Sequence, residues 1–132
     1  LIFTGPLVFN WTRRIKGVPV PRIEDGALVA NQPADIARLK RWMSANVTVA
    51  GRPDVIFVKL YCHGFFDYDQ SACIGDGARR FFSEIIEYGA GNGNFDVHFA
   101  SAREAFNIAS AIIDGERGVP GRYRDYRLKS IM

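Results

Sequence analysis

The stretch Val55-Ile-Phe-Val-Lys-Leu-Tyr-Cys-His63-Gly64 determines the fold that the sequence predicts. Seven of its first eight residues are apolar or aromatic, and Lys59 is the only charged residue among them. A run of this kind between turn-forming residues is typical of a β-strand buried on both faces. Because catalytic groups in α/β sheets follow the carboxyl ends of strands, His63 is the first catalytic candidate, and Gly64 leaves room for a ligand. The alternative is a loop histidine that only caps the strand.

Two further strands are predicted. Residues 95–100 place Val97 and Phe99 on one face, and His98 lies inside the strand, where we expect a structural role. Residues 1–4 form a short opening strand, and Trp11 is expected to pack into the core.

Helical spacing of apolar residues marks three segments, at about 34–46, 76–88 and 102–115. Pro33 suits the first turn of the first helix. The sequence Ser101-Ala-Arg-Glu104 is a capping box, in which the Ser101 hydroxyl accepts from the backbone of Glu104 and the Glu104 carboxylate reaches back. The residues expected to face inward are Ala78, Phe81, Phe82, Ile85 and Ile86 in the second helix, and Ala105, Phe106, Ala109, Ile112 and Ile113 in the third.

Strands that alternate with helices across long connections pair in parallel through right-handed crossovers. We therefore predict an α/β fold with parallel strands, in one partial domain spanning residues 1–132. Two or three such strands cannot close a barrel, and the chain begins with Leu1 in mid-strand, so we expect a carboxyl-terminal fragment of a longer protein. Residues 10–32 are a long excursion, either a lid or partner surface or a packed surface segment. Residues 116–132 are a tail that Tyr123, Tyr126 and Leu128 are expected to pin to the body.

Composition narrows the class of protein. The 132 residues are 48% hydrophobic and 23% charged, with a net charge of +3, as in an ordinary globular chain. The basic residues are scattered without interleaved aromatics, so nucleic acid is not an expected partner. No window resembles a membrane span. Cys62 and Cys73 are expected to be free thiols, which favours a reducing, cytoplasmic location.

The loop after His63 carries further candidates for ligand contacts. Asp67 and Asp69 could hold a hydroxylated ligand or orient His63, or could simply be solvated loop acids. The aromatic residues Phe65, Phe66 and Tyr68 could form a platform on which a sugar stacks, or could pack the loop onto the body.

Several short pieces of the chain resemble bacterial polysaccharide deacetylase-like proteins of the glycoside hydrolase/deacetylase superfamily. The pieces are Gly5-Pro-Leu, Asn10-Trp, Pro21-Arg-Ile-Glu24, Phe57-Val-Lys-Leu, His63-Gly64, Ala102-Arg-Glu and Tyr123-Arg-Asp-Tyr126. The order of segments also resembles the end of the deacetylase barrel, with Leu60-Tyr-Cys-His63 in place of its Leu-x-His motif. In the similar proteins the strand ends in His-Thr-His-Gly, whereas here Tyr61 replaces the first histidine.

This resemblance implies the carboxyl-terminal part of a deacetylase-type (β/α) barrel that removes acyl groups from a polysaccharide or glycan when complete. It implies that His63 is the general acid that protonates the leaving group. Asp67, Asp69 and Arg103 are expected to contact substrate, and Arg103 could stabilise a developing negative charge. In the family a divalent metal such as zinc is held by residues of earlier strands, so this fragment supplies no set of metal ligands. The partner of the fragment would be the missing amino-terminal part of the barrel. The alternatives are a non-catalytic relative that binds glycans or a partner protein, which Tyr61 favours, and a two-carboxylate glycosidase.

Overall fold

A computed structural model of the chain describes residues 1–63 and 66–130, which form two compact units. The larger unit comprises residues 3–47 and 57–96, and the smaller unit comprises residues 1–2, 48–56 and the chain from residue 97 onward.

Four short strands lie in the larger unit: β1 (Leu7–Asn10), β2 (Arg14–Ile15), β3 (Val18–Pro19) and β4 (Arg22–Asp25). Strand β1 pairs antiparallel with β4, which sets Phe9 opposite Ile23. Strand β2 pairs antiparallel with β3, which sets Ile15 opposite Val18. The turn between β2 and β3 is Lys16-Gly17, and both residues have positive φ, as a tight two-residue hairpin turn requires.

The helices are α1 (Ile36–Ser44), the one-turn α2 (Gln70–Cys73) and α3 (Asp76–Tyr88) in the larger unit, and α4 (Ala102–Ile113) in the smaller unit. The three long helices confirm the three segments predicted from helical spacing. Helix α1 begins at Asp35, whose side chain accepts from the backbone of Arg38 at 2.7 Å. The capping box of α4 is present, since Ser101 and Glu104 exchange both of the hydrogen bonds that define it.

The core of the larger unit lies between α1 and α3. Trp42 and Phe81 are almost fully buried, and their rings meet edge to face with centroids 6.0 Å apart. Ala78 and Ile85 are buried beside them, as predicted, whereas Ile86 is about half exposed. The inward face of α3 is therefore narrower than its apolar stripe. In α4 the six consecutive residues 107–112 are all buried, so burial extends around the helix, although Ile113 is exposed.

A buried ion pair joins the hairpin to α1. The Arg38 Nε donates to Glu24 Oε1 at 2.6 Å, and both residues are 4% exposed. The same guanidinium donates to the carbonyl oxygens of Asp25, Ala27 and Gln32, and it lies 4.8 Å from the centroid of the Trp42 ring. One arginine therefore satisfies four acceptors from β4 and the loop that follows it.

The prediction of a barrel with parallel strands is wrong. Every strand pair in the described part of the chain is antiparallel, and parallel pairing is limited to a single isolated bridge between Ala27 and Tyr61. Residues 55–62 and 95–100 form no ladder, so neither predicted strand exists. An apolar run indicates that a segment is buried, but it does not show that the segment pairs with another strand. Here residues 55–60 other than Lys59 are only half-buried, and the backbone of 57–61 bonds to Val47 and Gly26 without consecutive partners.

Two predictions for the start of the chain are also wrong. Residues 1–4 form no strand, and the first strand lies instead at Leu7–Asn10. Trp11 is 57% exposed and not part of the core. The excursion 10–32 contains the short strands β2, β3 and β4.

In the smaller unit, the tail is held to α4 by a buried amide. Asn107 is fully buried and its Nδ2 donates to the carbonyl oxygens of Arg124 and Leu128 at 2.6 and 2.7 Å. Its Oδ1 accepts from the backbone N–H groups of Arg127 and Leu128. The tail is thus fixed through its backbone, and the side chain of Leu128 is about half exposed. The rings of Tyr123 and Tyr126, which were expected to pin the tail, meet edge to face within it.

Candidate functional site

The segment that leads to His63 is anchored by the loop after β4, within the larger unit. Tyr61 donates its backbone N–H to Gly26 O at 3.1 Å, and Leu28 donates to Tyr61 O at 2.8 Å. Gly26 is required at this crossing, because a Cβ there would lie 2.2 Å from the carbonyl oxygen of Lys59. This close backbone approach fixes where the chain emerges at His63.

Tyr61 interacts with both His63 and Asp25. The Tyr61 and His63 rings meet edge to face with centroids 5.2 Å apart, and His63 is exposed. Burial, and then a hydrogen bond with Asp25, raise the pKa of Tyr61 above its ordinary value of 10.0. Tyr61 is thus a neutral phenol well above neutral pH, and its ring contacts His63 from one side.

The two aspartates of the following turn have different surroundings. Asp69 is 4% exposed, and its Oδ1 accepts from the backbone N–H of Ala30 at 2.7 Å, so it ties the turn to the loop after β4. Asp67 is exposed and its Oδ1 accepts from Gln70 Nε2 at 3.4 Å. Of the two, Asp67 is the carboxylate that a ligand can reach.

The same turn displays two aromatic rings. Phe66 and Tyr68 stack with centroids 5.4 Å apart and an angle of 5° between their planes. They are 53% and 68% exposed, so the stack leaves an aromatic face open to solvent. Gly64 and Phe65, which sequence analysis placed beside His63 and in the aromatic platform, lie outside the described residues.

A cleft of about 410 Å³ opens in the larger unit next to this turn. Ser71 and Ala72, which follow the stacked rings within a few residues, form part of its wall, and Arg80 and Glu84 of α3 supply charged groups. A volume of this size is within the range of small-molecule sites.

Cys73 contacts the loop after β4. Cys73 Sγ donates to Leu28 O at 3.2 Å, and both cysteines are free thiols. Burial, and then the neighbouring Cys62 thiol, raise the pKa of Cys73. A raised pKa disfavours the thiolate, so Cys73 is not an activated nucleophile.

Arg103 lies in the smaller unit and contacts the tail. Its Nη1 donates to Asp125 Oδ1 and to the carbonyl oxygens of Arg124 and Leu128. These contacts give the residue a structural task, alongside Asn107. The candidates His63, Asp67 and Asp69 lie together within seven residues of the larger unit.

The structure also tests the fit of a metal. Among residues 1–63 and 66–130, no group of three or more His, Cys, Asp or Glu side chains is arranged to hold an ion. In the same described part of the chain, no helix is long and apolar enough to cross a membrane. Searches of this chain against protein-family models, curated proteins and solved structures found no match.

Three important residues were not found by sequence analysis. Arg38 lies four residues before the buried Trp42, so both share one face of α1, and this spacing is the available signal. Asn107 is a poor helix former in the middle of an apolar helix, which also indicates a specific partner. The burial of Glu24 carries no comparable local signal.

Proposed function

We propose that this chain binds a carbohydrate through the turn that follows His63, here called the aromatic turn (residues 66–70). The observation that carries the proposal is the solvent-exposed parallel stack of Phe66 and Tyr68. An exposed ring face buries the apolar C–H face of a pyranose, while nearby polar groups bind its hydroxyls. The exposed carboxylate of Asp67 lies between the two rings in sequence and accepts hydrogen bonds from hydroxyl donors.

The surroundings of the stack favour a binding role. The turn is held in place by Asp69, whose buried carboxylate bonds to Ala30, and this leaves Asp67 available for a ligand. A turn fixed in this way loses little conformational entropy when a ligand binds. The cleft beside Ser71 offers polar groups for further hydroxyls of an extended glycan. The resemblance to deacetylase-like proteins supports acylated glycans as the ligand class.

The contribution of one ring can be estimated. A sugar covers roughly one third of the area that an aromatic side chain can bury, or ~60 Å². At about 25 cal/mol per Å² this contributes ~1.5 kcal/mol, which corresponds to a tenfold change in Kd. Weak binding that depends on either ring is therefore the expected behaviour.

In the experiment the protein is titrated with a tetramer of N-acetylglucosamine and, for comparison, with cellotetraose. Binding is measured by calorimetry and NMR. We expect Phe66→Ala and Tyr68→Ala each to weaken binding by about tenfold. The matched control is Phe9→Ala, which removes an equally exposed ring on β1 and should leave Kd unchanged. Equal affinity of the wild type and both turn variants would contradict the proposal.

Hydrolysis of the acyl group is the second candidate, and the exposed His63 beside Tyr61 favours it. An imidazole at this position could donate a proton to the leaving amine or alcohol. His63→Gln is then expected to lower the kcat for acetate release by roughly 10²–10⁴ while Kd for the tetramer is retained. An unchanged rate would remove His63 from catalysis without affecting the binding proposal.

A further inference from the structure

The hairpin at the start of the larger unit carries large apolar side chains in solvent. The exposed side chains of residues 7–23 are here called the hairpin surface. Its large apolar side chains are 47–68% exposed and comprise Leu7, Phe9, Trp11, Ile15, Val18 and Ile23. Large exposed apolar groups gathered on one element mark an interaction surface, whereas isolated ones are ordinary.

Strand pairing explains why these side chains group together. Phe9 lies opposite Ile23 in the β1–β4 pair, and the rings of Phe9 and Trp11 have centroids 6.3 Å apart. At the tip, Ile15 lies opposite Val18, so both side chains project from the same face. The tight turn at Lys16-Gly17 holds the two tip residues side by side.

The hairpin surface is also strongly basic. Residues 7–23 include Arg13, Arg14, Lys16 and Arg22, all exposed, and no acidic residue. The nearest acid, Glu24, is buried against Arg38 and does not offset this charge at the surface. The basic residues of the chain are scattered along the sequence, but the hairpin brings four of them beside exposed aromatic residues.

We propose that the hairpin surface binds the surface of a lipid bilayer that contains anionic lipids. Apolar side chains at the tip would enter the boundary between headgroups and acyl chains, and the arginines and lysine would contact lipid phosphates. Trp11 has the amphipathic ring that is enriched at this depth of a membrane.

The composition of the hairpin surface favours a lipid bilayer over two other candidate partners, a single-stranded nucleic acid and a second copy of this chain. A single-stranded nucleic acid needs planar groups on which its bases stack, and only Phe9 and Trp11 of the six apolar residues are planar. A second copy of this chain would bring four basic residues of each hairpin close together, which disfavours association. A bilayer accepts aliphatic and aromatic side chains alike and supplies the opposite charge.

The experiment is co-sedimentation of the full chain with vesicles of phosphatidylcholine alone and with vesicles that contain roughly one third phosphatidylserine. We expect binding to the anionic vesicles only, with a partition coefficient that falls as salt is added. The double variant Ile15→Ser/Val18→Ser and the charge variant Lys16→Glu should each lower it at least tenfold. Because all three side chains are exposed, circular dichroism of both variants should match that of the wild type.

The matched control is Ile74→Ser, which removes an apolar side chain that is 61% exposed on a different element. Its partition coefficient should be that of the wild type. Equal binding to both kinds of vesicle, or undiminished binding by the tip variants, would overturn the proposal. Tighter binding to a single-stranded oligonucleotide, or a dimer in analytical ultracentrifugation that the tip variants abolish, would assign the hairpin surface to another partner and also overturn it.

Discussion

Replacing Arg38 by methionine tests whether the buried ion pair organises the larger unit. The change keeps much of the side-chain volume but removes the donor to Glu24 Oε1 and to three carbonyl oxygens. Glu24 is 4% exposed, and its other hydrogen bond comes from Asn10 Nδ2 at 3.2 Å. Arg41 Nε lies 3.4 Å from Glu24 Oε2 but without hydrogen-bond geometry, so it compensates poorly.

The expected cost is about 3–5 kcal/mol, since removal of Arg38 leaves the buried Glu24 carboxylate with the poorly oriented Arg41 in place of a hydrogen-bonded charge partner. Domains of this size are stabilised by about 5–15 kcal/mol, so the variant should lose a large part of its stability. With a urea m-value of about 2 kcal/mol per molar, the midpoint should fall by roughly 2 M. Unfolding can be followed by the fluorescence of Trp42, which is buried, together with circular dichroism.

The control is Arg79→Met, which breaks an ion pair with Asp76 whose side chains are both at least 80% exposed. Exposed pairs contribute little, so this midpoint should hardly move. The double variant Glu24→Leu/Arg38→Met should be more stable than Arg38→Met alone, because it also removes the buried Glu24 carboxylate that has lost its main charge partner. A shift of the midpoint by Arg38→Met no larger than that by Arg79→Met would show that the buried pair does not organise the larger unit.

Two further predictions concern the smaller unit. Hydrogen bonds from Ser101, and then from Arg124, lower the pKa of Glu104 to about 2 from an ordinary 4.5. The ionised carboxylate therefore stabilises the fold above pH 4.5, and this contribution is lost as the pH falls towards 2. Glu104→Gln should therefore lower the thermal midpoint at neutral pH, and the difference from the wild type should shrink in acid; a difference independent of pH would contradict the capping role. Asn107→Leu should cost about 2–4 kcal/mol, since it leaves tail backbone groups without partners, and it should speed tryptic cleavage and amide exchange at Leu128. Unchanged protection of that amide would show that other contacts hold the tail.

The helices of this chain could be predicted because their determinants are close in sequence. Helix α3 was predicted at 76–88 and observed at Asp76–Tyr88, and the capping box at Ser101 and Glu104 is present as expected. Each backbone hydrogen bond of a helix joins residues four apart, so apolar spacing and capping residues are sufficient.

The candidate site was predictable only in part. The aromatic and acidic composition of the turn after His63 indicated a ligand platform, and the structure shows Phe66 and Tyr68 stacked and exposed. The difference between Asp67 and Asp69 could not be predicted, because it depends on Ala30, which lies 39 residues earlier than Asp69. The contact of Tyr61 with Asp25 likewise depends on a distant loop.

Local sequence is sufficient to predict three helices, the capping box and the polar and aromatic character of the turn after His63. The pairing of extended segments, the exposure of Trp11 and the burial of Arg38 and Glu24 depend instead on contacts between distant parts of the folded chain. A strand takes its hydrogen-bond partners from elsewhere in the chain, so an apolar run such as 55–62 does not by itself make a sheet. A charged side chain can be buried only where a partner and several acceptors converge, and that convergence arises when the chain folds.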